Sequence, residues 1–225
     1  GRASARPFSR RDDHPGAPMT MPASQQRIGV LGGTFDPPHL GHLIIATEFR
    51  YALSLDRVLW VPAGRPPHKT NLPISSDDDR LAMVRLTIAG APGFAVSTID
   101  IDRGGVSYTA DLLEILRAEH PGGRLFFLMG EDSLRDLPTW HDPNRICRAA
   151  AIGVARRPGI DIDLAAILAA VPDCRGRIHF VSPPDIGISS TEVRRRVRDG
   201  EPIAYQVPAA VERFIYERGL YRRAT

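Results

Sequence analysis

The chain has 225 residues, of which 43% are hydrophobic and 24% are charged. This balance suits one substantial globular domain and excludes a chain that is disordered throughout. No apolar run approaches the roughly 20 residues that a membrane-spanning helix needs, and we expect a cytoplasmic protein without membrane contact. Residues 27–225 hold 25 basic and 24 acidic residues, and a net charge of +1 argues against a nucleic-acid partner.

The first 26 residues mix Pro, Ser, Arg and Gly without any hydrophobic period. Such a composition cannot support a packed element. We therefore expect residues 1–26 to be a disordered tail or an overextended start, and residues 27–225 to form the folded domain.

Short β-branched runs alternate with longer amphipathic segments from Arg27 onward. The predicted strands cover 27–32, 57–62, 94–99, 124–130, 150–156 and 177–181. The predicted helices cover 40–54, 76–90, 107–119, 161–171, 189–198 and 208–218. Apolar strands between helices indicate an α/β fold with a doubly wound, Rossmann-like, mostly parallel sheet and a small C-terminal helical portion. In such sheets ligands bind beyond the carboxyl ends of the strands.

The first predicted strand runs into the sequence Gly-Gly-Thr-Phe-Asp-Pro-Pro-His-Leu-Gly-His at residues 32–42. Two glycines at a strand end let backbone N–H groups approach a polyphosphate, and the following helix start adds further donors. His39 and His42 are three residues apart, which places both imidazoles on one side of a starting helix. Each could donate to a phosphoryl oxygen, and protonated imidazoles would offset negative charge in a transition state. A zinc pair or an ordinary turn is a weaker alternative, because no third ligand lies nearby.

A second motif, Ile-Ser-Ser-Thr-Glu-Val-Arg, occupies residues 188–194 at the start of a predicted helix. One of its serines could simply cap that helix. Arg194 lies about one turn beyond Ser190 and on the same face, so the motif also suits a phosphate.

Together these motifs resemble those of the HxGH-type nucleotidyltransferases, which share a distant fold with class I aminoacyl-tRNA synthetases. Within that superfamily the sequence is most similar to the bacterial nicotinate-nucleotide adenylyltransferases, over essentially residues 27–225. The further segments that carry this resemblance are Pro66-Pro67-His68-Lys69, Ser107-Tyr108-Thr109, Gly130-Glu131-Asp132-Ser133, Pro138-Thr139-Trp140, Arg156-Arg157-Pro158-Gly159 and Gly219-Leu220-Tyr221.

The resemblance implies transfer of AMP from ATP to nicotinate mononucleotide, which yields deamido-NAD and pyrophosphate by direct in-line attack. It implies Mg²⁺ bound through the ATP phosphates, with no protein-held metal, and it leaves a homo-oligomer open. The implied catalytic residues are His39, His42, Lys69 and Arg194. The implied ATP-binding residues are Gly32, Gly33, Thr34, Phe35, His39, His42, Gly130, Asp132, Ile188, Ser189, Ser190 and Arg194. The implied residues for nicotinate mononucleotide are Gly33, Thr34, Lys69, Tyr108, Thr109 and Trp140.

For three of these residues an explanation other than ligand binding stays open. Asp132 could cap a short helix that begins at Ser133, and Trp140 could belong to the core. Lys69 is the only lysine in the chain, and either codon bias or a phosphate-reaching point charge explains it. The segments 64–76 and 133–145 are expected to be long polar connections.

Three other functions compete with this interpretation. The acceptor could be nicotinamide mononucleotide or phosphopantetheine. The protein could be a noncatalytic module that binds nucleotides or RNA, although the paired histidines argue against it. An NAD-dependent dehydrogenase is disfavoured because the dinucleotide fingerprint is missing. Cys147 and Cys174 lie far apart and without CxxC spacing, so we expect neither a disulfide nor a cysteine zinc site.

Overall fold

A computed structural model describes residues 25–64 and 74–223. Within them, six strands form one sheet in which every neighbouring pair is parallel. The strands are β1 (Arg27–Gly33), β2 (Arg57–Pro62), β3 (Phe94–Val96), β4 (Arg124–Gly130), β5 (Ala151–Ala155) and β6 (Ile178–Val181). Their order in the sheet is β3-β2-β1-β4-β5-β6, which is the doubly wound arrangement that the sequence predicts.

Helices connect these strands and cover the sheet. They are α1 (Leu40–Ala52), α2 (Asp77–Ile88), α3 (Ile99–Arg103), α4 (Thr109–Glu119), α5 (Glu131–Asp136), α6 (Pro143–Ala149), α7 (Leu164–Ala170), α8 (Ser190–Asp199) and α9 (Ala209–Glu217). Single 3₁₀ turns follow α5 and α7, at Leu137–Thr139 and Pro172–Cys174.

The strands send alternate side chains into two separate core clusters. In β2, Leu59 and Val61 join the cluster that contains residues of α4 and α6. Val58 and Trp60 point to the other face and join residues of α1 and α2. Because both faces of the sheet are covered, the strands read as continuous apolar runs in the sequence.

A third cluster attaches the C-terminal helices to the rest of the fold. Val193 and Val197 of α8 and Val211 and Ile215 of α9 are buried together with Met83 of α2. The predicted C-terminal helical portion is therefore present, and it lies against the helix that follows β2.

The candidate site lies where the sheet reverses its winding, between β1 and β4. β1 pairs with β2 on one side and with β4 on the other. The connections that leave β1 and β4 therefore diverge and open a crevice at the carboxyl ends of these strands. The two histidines follow β1, and Gly130 ends β4.

Four expectations need correction or lie outside the described residues. The predicted strand 94–99 ends at Val96, and the chain enters the short helix α3, where Thr98 donates a hydrogen bond to Asp102 at 2.5 Å. The predicted connection 133–145 is largely helical, because it contains most of α5, a 3₁₀ turn and the start of α6. Nearly all of the tail 1–26 and Lys69 fall outside the described residues.

The expectation that the two cysteines form no disulfide is wrong. Cys147 and Cys174 form a disulfide, with their Cα atoms 5.0 Å apart. Both side chains are fully buried, because α6 packs against the 3₁₀ turn that contains Cys174. A separation of 27 residues along the chain gives no sign of this packing.

None of the helices in the described part of the chain is long and apolar enough to span a membrane.

Candidate active site

The two histidines of the first motif lie against each other at the start of α1. His39 precedes the first helical residue, and its backbone is extended. The two imidazole rings are tilted by 31° with centroids 3.7 Å apart. The main-chain N–H of His39 donates to Nδ1 of His42 at 3.2 Å. Nδ1 of His42 is therefore an acceptor, so its ring proton belongs on Nε2, which is free to donate.

The glycine between the histidines is required by this stacking. A Cβ atom at Gly41 would lie 2.9 Å from Nδ1 and 3.0 Å from Cε1 of His39. Only a residue without a side chain lets the His39 ring fold back over the first turn. The spacing of the motif therefore follows from the packing of one imidazole on the helix backbone.

Both imidazoles are held neutral. Burial, and then the positive charge of Arg157, lower the pKa of His39 to about 4. Burial first, then His39 and Arg157, lower the pKa of His42 well below its ordinary value. Without bound nucleotide both rings are therefore neutral, which differs from the expected protonated imidazoles. The charge of Arg157 thus helps to lower both pKa values, although the sequence analysis assigned no role to this residue.

Hydrogen bonds hold the second motif against the first. Ser190 Oγ donates to the carbonyl oxygen of Pro37 at 2.8 Å, and Arg194 Nη1 donates to the carbonyl oxygen of Asp36 at 2.5 Å. Ser189 Oγ accepts the N–H of Glu192 at 3.1 Å and so caps α8. The structure thus brings together two motifs that are about 150 residues apart, and each serine already has a partner in the protein.

The end of β4 supplies a third element of the site. Gly130 precedes α5, and a Cβ atom there would collide with Oδ1 of Asp132. Because α5 begins at Glu131, Asp132 lies in its first turn and does not cap a helix that starts at Ser133. Glu131 is buried and accepts the N–H of Arg157 at 2.9 Å, which ties β4 to the segment after β5.

A cavity of about 690 Å³ opens beside these residues. It brings together five of the six residues expected to bind the acceptor, and the sixth, Lys69, lies outside the described residues. Its wall includes Gly32, Gly33, Thr34, Tyr108, Thr109, Trp140 and His141. Trp140 also packs against the core, with its ring 6.1 Å from that of Phe127. The core and ligand interpretations of Trp140 are thus compatible.

The start of α4 offers free donors at this cavity. Tyr108 precedes the first helical residue, and among the residues described no side chain caps this end. The N–H groups of a first helical turn have no partner within the helix, and the positive end of the helix dipole favours an anion.

Among the cavity residues that sequence reasoning missed are His141 and Asp100. The His141 ring stacks on Tyr108 with centroids 4.2 Å apart; its position next to Trp140 was the available signal. Asp100 is buried and accepts from the N–H of Gly64 at 3.0 Å and from the hydroxyl of Ser107. No motif marks Asp100, because the sequence around it was assigned to a strand end.

Two of the residues expected to contact ATP lie on the edge of the site. Phe35 is only 2% exposed and its ring packs edge-on against His42 at 5.1 Å. Its side chain therefore supports the histidine pair, and only its backbone could reach a nucleotide. Ile188 packs against the C-terminal cluster, and its carbonyl oxygen lies near Gly41.

Comparison with known proteins gives the class of this site. Residues 30–196 match the family model of cytidylyltransferase-like proteins, a class of nucleotidyltransferases. A probable nicotinate-nucleotide adenylyltransferase of Thermomicrobium roseum is 53% identical over 196 residues, which cover 87% of this chain and 92% of that protein. Its counterpart in Thermus thermophilus is 45% identical over 87% of this chain and 100% of its own length. The chain belongs to the nicotinate-nucleotide adenylyltransferase family.

A solved structure agrees with this fold. The nicotinic acid mononucleotide adenylyltransferase of Plasmodium falciparum, complexed with NaAD, superimposes with a TM-score of 0.71 at 19% identity. The match covers 88% of this chain and 98% of that one. At this identity the likeness establishes the shared architecture.

Proposed function

We propose that this enzyme transfers the AMP part of ATP to nicotinate mononucleotide and releases pyrophosphate and deamido-NAD. The observation that carries the proposal is the position of the 690 Å³ cavity. It shares the segment 32–34 with the loop that leads into the histidine pair, at the point where the sheet reverses its winding. Two substrates can thus meet across one glycine-rich turn.

We assign the ATP phosphates to the donors around the start of α1. His42 offers its Nε2 proton, and the His39 ring is stacked against the His42 ring. Arg194, held on the carbonyl oxygen of Asp36, supplies a fixed positive charge. Gly130 and Asp132 would take the ribose, because a carboxylate suits paired hydroxyls.

We assign the acceptor to the cavity. The pyridine ring would lie against Trp140 and Tyr108, whose aromatic faces suit a flat ring. Its carboxylate would meet the free N–H groups at the start of α4, near Thr109. The backbone at Gly33 and Thr34 would hold the acceptor phosphate within reach of the ATP.

The chemistry then needs no covalent intermediate. A phosphate oxygen of nicotinate mononucleotide attacks the α-phosphorus of ATP, and the bond from this phosphorus to the oxygen bridging to the β-phosphate breaks. Pyrophosphate leaves with that electron pair. The protein contributes position and charge neutralisation, which imidazole N–H groups and a guanidinium supply. Mg²⁺ would arrive on the phosphates and neutralise them. Among the residues described, no cluster of three His, Cys, Asp or Glu side chains is arranged to hold it.

A pyrophosphate-release assay with ATP, Mg²⁺ and nicotinate mononucleotide tests this function. Nicotinamide mononucleotide and phosphopantetheine are the matched acceptors. Preference for either would contradict the assigned acceptor. ATP binding without pyrophosphate from any acceptor would instead favour a noncatalytic module.

We further propose that residues 27–225 form the nucleotidyltransferase domain and that the enzyme works in the cytoplasm. The matched relatives and the sheet support the first statement. Limited proteolysis that leaves an active fragment beginning near Arg27 would support it directly.

A further inference from the structure

The last tyrosine of the chain reaches into the first motif. Tyr221 follows α9 and has a backbone φ of 64°, in the left-handed region. Its hydroxyl donates to Oδ1 of Asp36 at 2.6 Å, across 185 positions of sequence. Asp36 is only 3% exposed, so water competes little for this contact. The closing Gly-Leu-Tyr segment, which the assigned reaction does not use, therefore contacts the candidate site.

Asp36 and Pro37 form a turn that receives donors from three separate segments. The second carboxylate oxygen of Asp36 accepts the N–H of Ser75 at 3.3 Å. The backbone oxygens of the turn hold the second motif, through Arg194 on Asp36 and Ser190 on Pro37. The side chain and the backbone of this turn thus face different parts of the protein.

The tyrosine is a constant donor. Burial, and then the negative charge of Asp36, raise the pKa of Tyr221 well above its ordinary value. Its hydroxyl therefore stays protonated at any physiological pH. Removal of this donor would leave a buried carboxylate with one partner fewer, and such a group shifts toward whatever donor it can reach.

We propose that Tyr221 is a positioning residue for adenylyl transfer. Through Asp36 it fixes the turn whose backbone oxygens aim Arg194 and Ser190 toward the phosphates. The inference rests on the proposed function, which places the ATP phosphates at Arg194. Tyr221 itself contacts no substrate in this arrangement.

The test compares Tyr221→Phe with Tyr216→Phe. Tyr216 lies on α9, close to Tyr221 in sequence, and is 38% exposed, so its variant is the matched control. We expect kcat of Tyr221→Phe to fall about tenfold, because the substitution removes one hydrogen bond to a charged group. The KM for nicotinate mononucleotide should stay within about twofold, and Tyr216→Phe should match the wild type. All rates are measured well below the melting temperature of each variant.

A double-mutant cycle with Asp36→Asn tests whether Tyr221 acts on kcat through Asp36. If Tyr221 acts through Asp36, the double variant should lose little more kcat than Asp36→Asn alone. If the kcat reductions of the two single variants multiply in the double variant, the proposal is overturned. A Tyr221→Phe enzyme with a lower melting temperature and unchanged kcat would also overturn it. Asp36→Asn alone should also lower kcat if the turn positions Arg194. A folded Asp36→Asn enzyme with unchanged kcat overturns the proposal even if Tyr221→Phe does not fold. A wild type that releases no pyrophosphate would refute the proposed function; an active wild type equalled by Tyr221→Phe refutes this inference alone.

Discussion

On the side of the crevice that we assign to ATP, the side chains are held together by contacts across the fold, whereas on the side that we assign to the acceptor they line an open cavity. The first group includes the stacked His39 and His42 and the bond from Arg194 to the backbone of Asp36. The second group includes Trp140 and Tyr108 around a space of about 690 Å³. Among the residues described, the buried carboxylate of Asp100 joins two segments of that cavity.

This difference predicts different kinetic roles for the two sides of the crevice. Charge that develops in a transition state is best met by groups that do not need to move. Selection of a substrate instead depends on the shape of a cavity and on donors that the wrong substrate leaves unpaired. Substitutions on the ATP side should therefore lower kcat, and those on the acceptor side should mainly raise the acceptor KM.

The strongest test of the comparison is His42→Ala. Removal of one fixed donor should lower kcat on the order of 10²–10³, while circular dichroism shows an intact fold. His120→Ala is the control, because His120 lies beyond the end of α4 and contacts Arg57. Near-normal turnover of a folded His42→Ala enzyme would remove His42 from the site.

Trp140→Ala tests the opposite side. Loss of a stacking surface should raise the KM for nicotinate mononucleotide by about 10- to 100-fold, with the KM for ATP unchanged. Trp140→Phe keeps an aromatic face and should retain most of the affinity. If both KM values rise together, Trp140 is acting through the core and the division between the two sides fails.

Asp100→Asn should have a smaller effect on the same side. The carboxylate accepts from Gly64 and Ser107 and pairs with Arg103 at 3.1 Å. The amide cannot accept from all three, so the start of α4 loosens and the acceptor KM rises about tenfold. Asp102→Asn is the control, because Asp102 is exposed on the same short helix. Steady-state kinetics that show a loss in kcat alone would contradict this role.

The smallest expected effect concerns stability and pH. The pKa of His39 is lowered to about 4 and that of His42 is also lowered, whereas an unfolded histidine titrates near ~6.5. Between about pH 6.5 and pH 4 the unfolded chain therefore binds more protons, and the free energy of unfolding falls as the pH falls. Melting temperatures at pH 7 and pH 5 should differ less when both histidines are asparagine. An equal difference in wild type and variant would contradict the neutral pair.

Much of the fold was predictable because it depends on local patterns. Apolar runs of the right length predicted the six strands. The predicted helix 76–90 contains α2, and the structure shows Ser76 as its cap, with Oγ accepting the N–H of Asp79 at 3.1 Å. The short helix α3 was missed, because five residues carry too little periodicity to distinguish them from a strand end. The Cys147–Cys174 disulfide was missed because it depends on how α6 packs.

The candidate site divides in the same way. Gly33 and His39 could be singled out because their residue types and spacing point to a phosphate, and Trp140 could be singled out through the family resemblance. Asp100 could not, since only the folded chain brings it to the cavity wall, and the only sequence signal for His141 was its position next to Trp140.

The sequence by itself determined the parallel α/β fold, the glycine-rich turn after β1 and the resemblance to one enzyme family, because strand periodicity and motif spacing can be read along the chain. The tertiary structure alone decided which groups support that turn and in which protonation state. Arg194 and Tyr221 meet Asp36 across 158 and 185 positions of sequence. The histidines are neutral because they are buried. Contacts at such separations, and the burial that sets a pKa, exist only after the chain has folded.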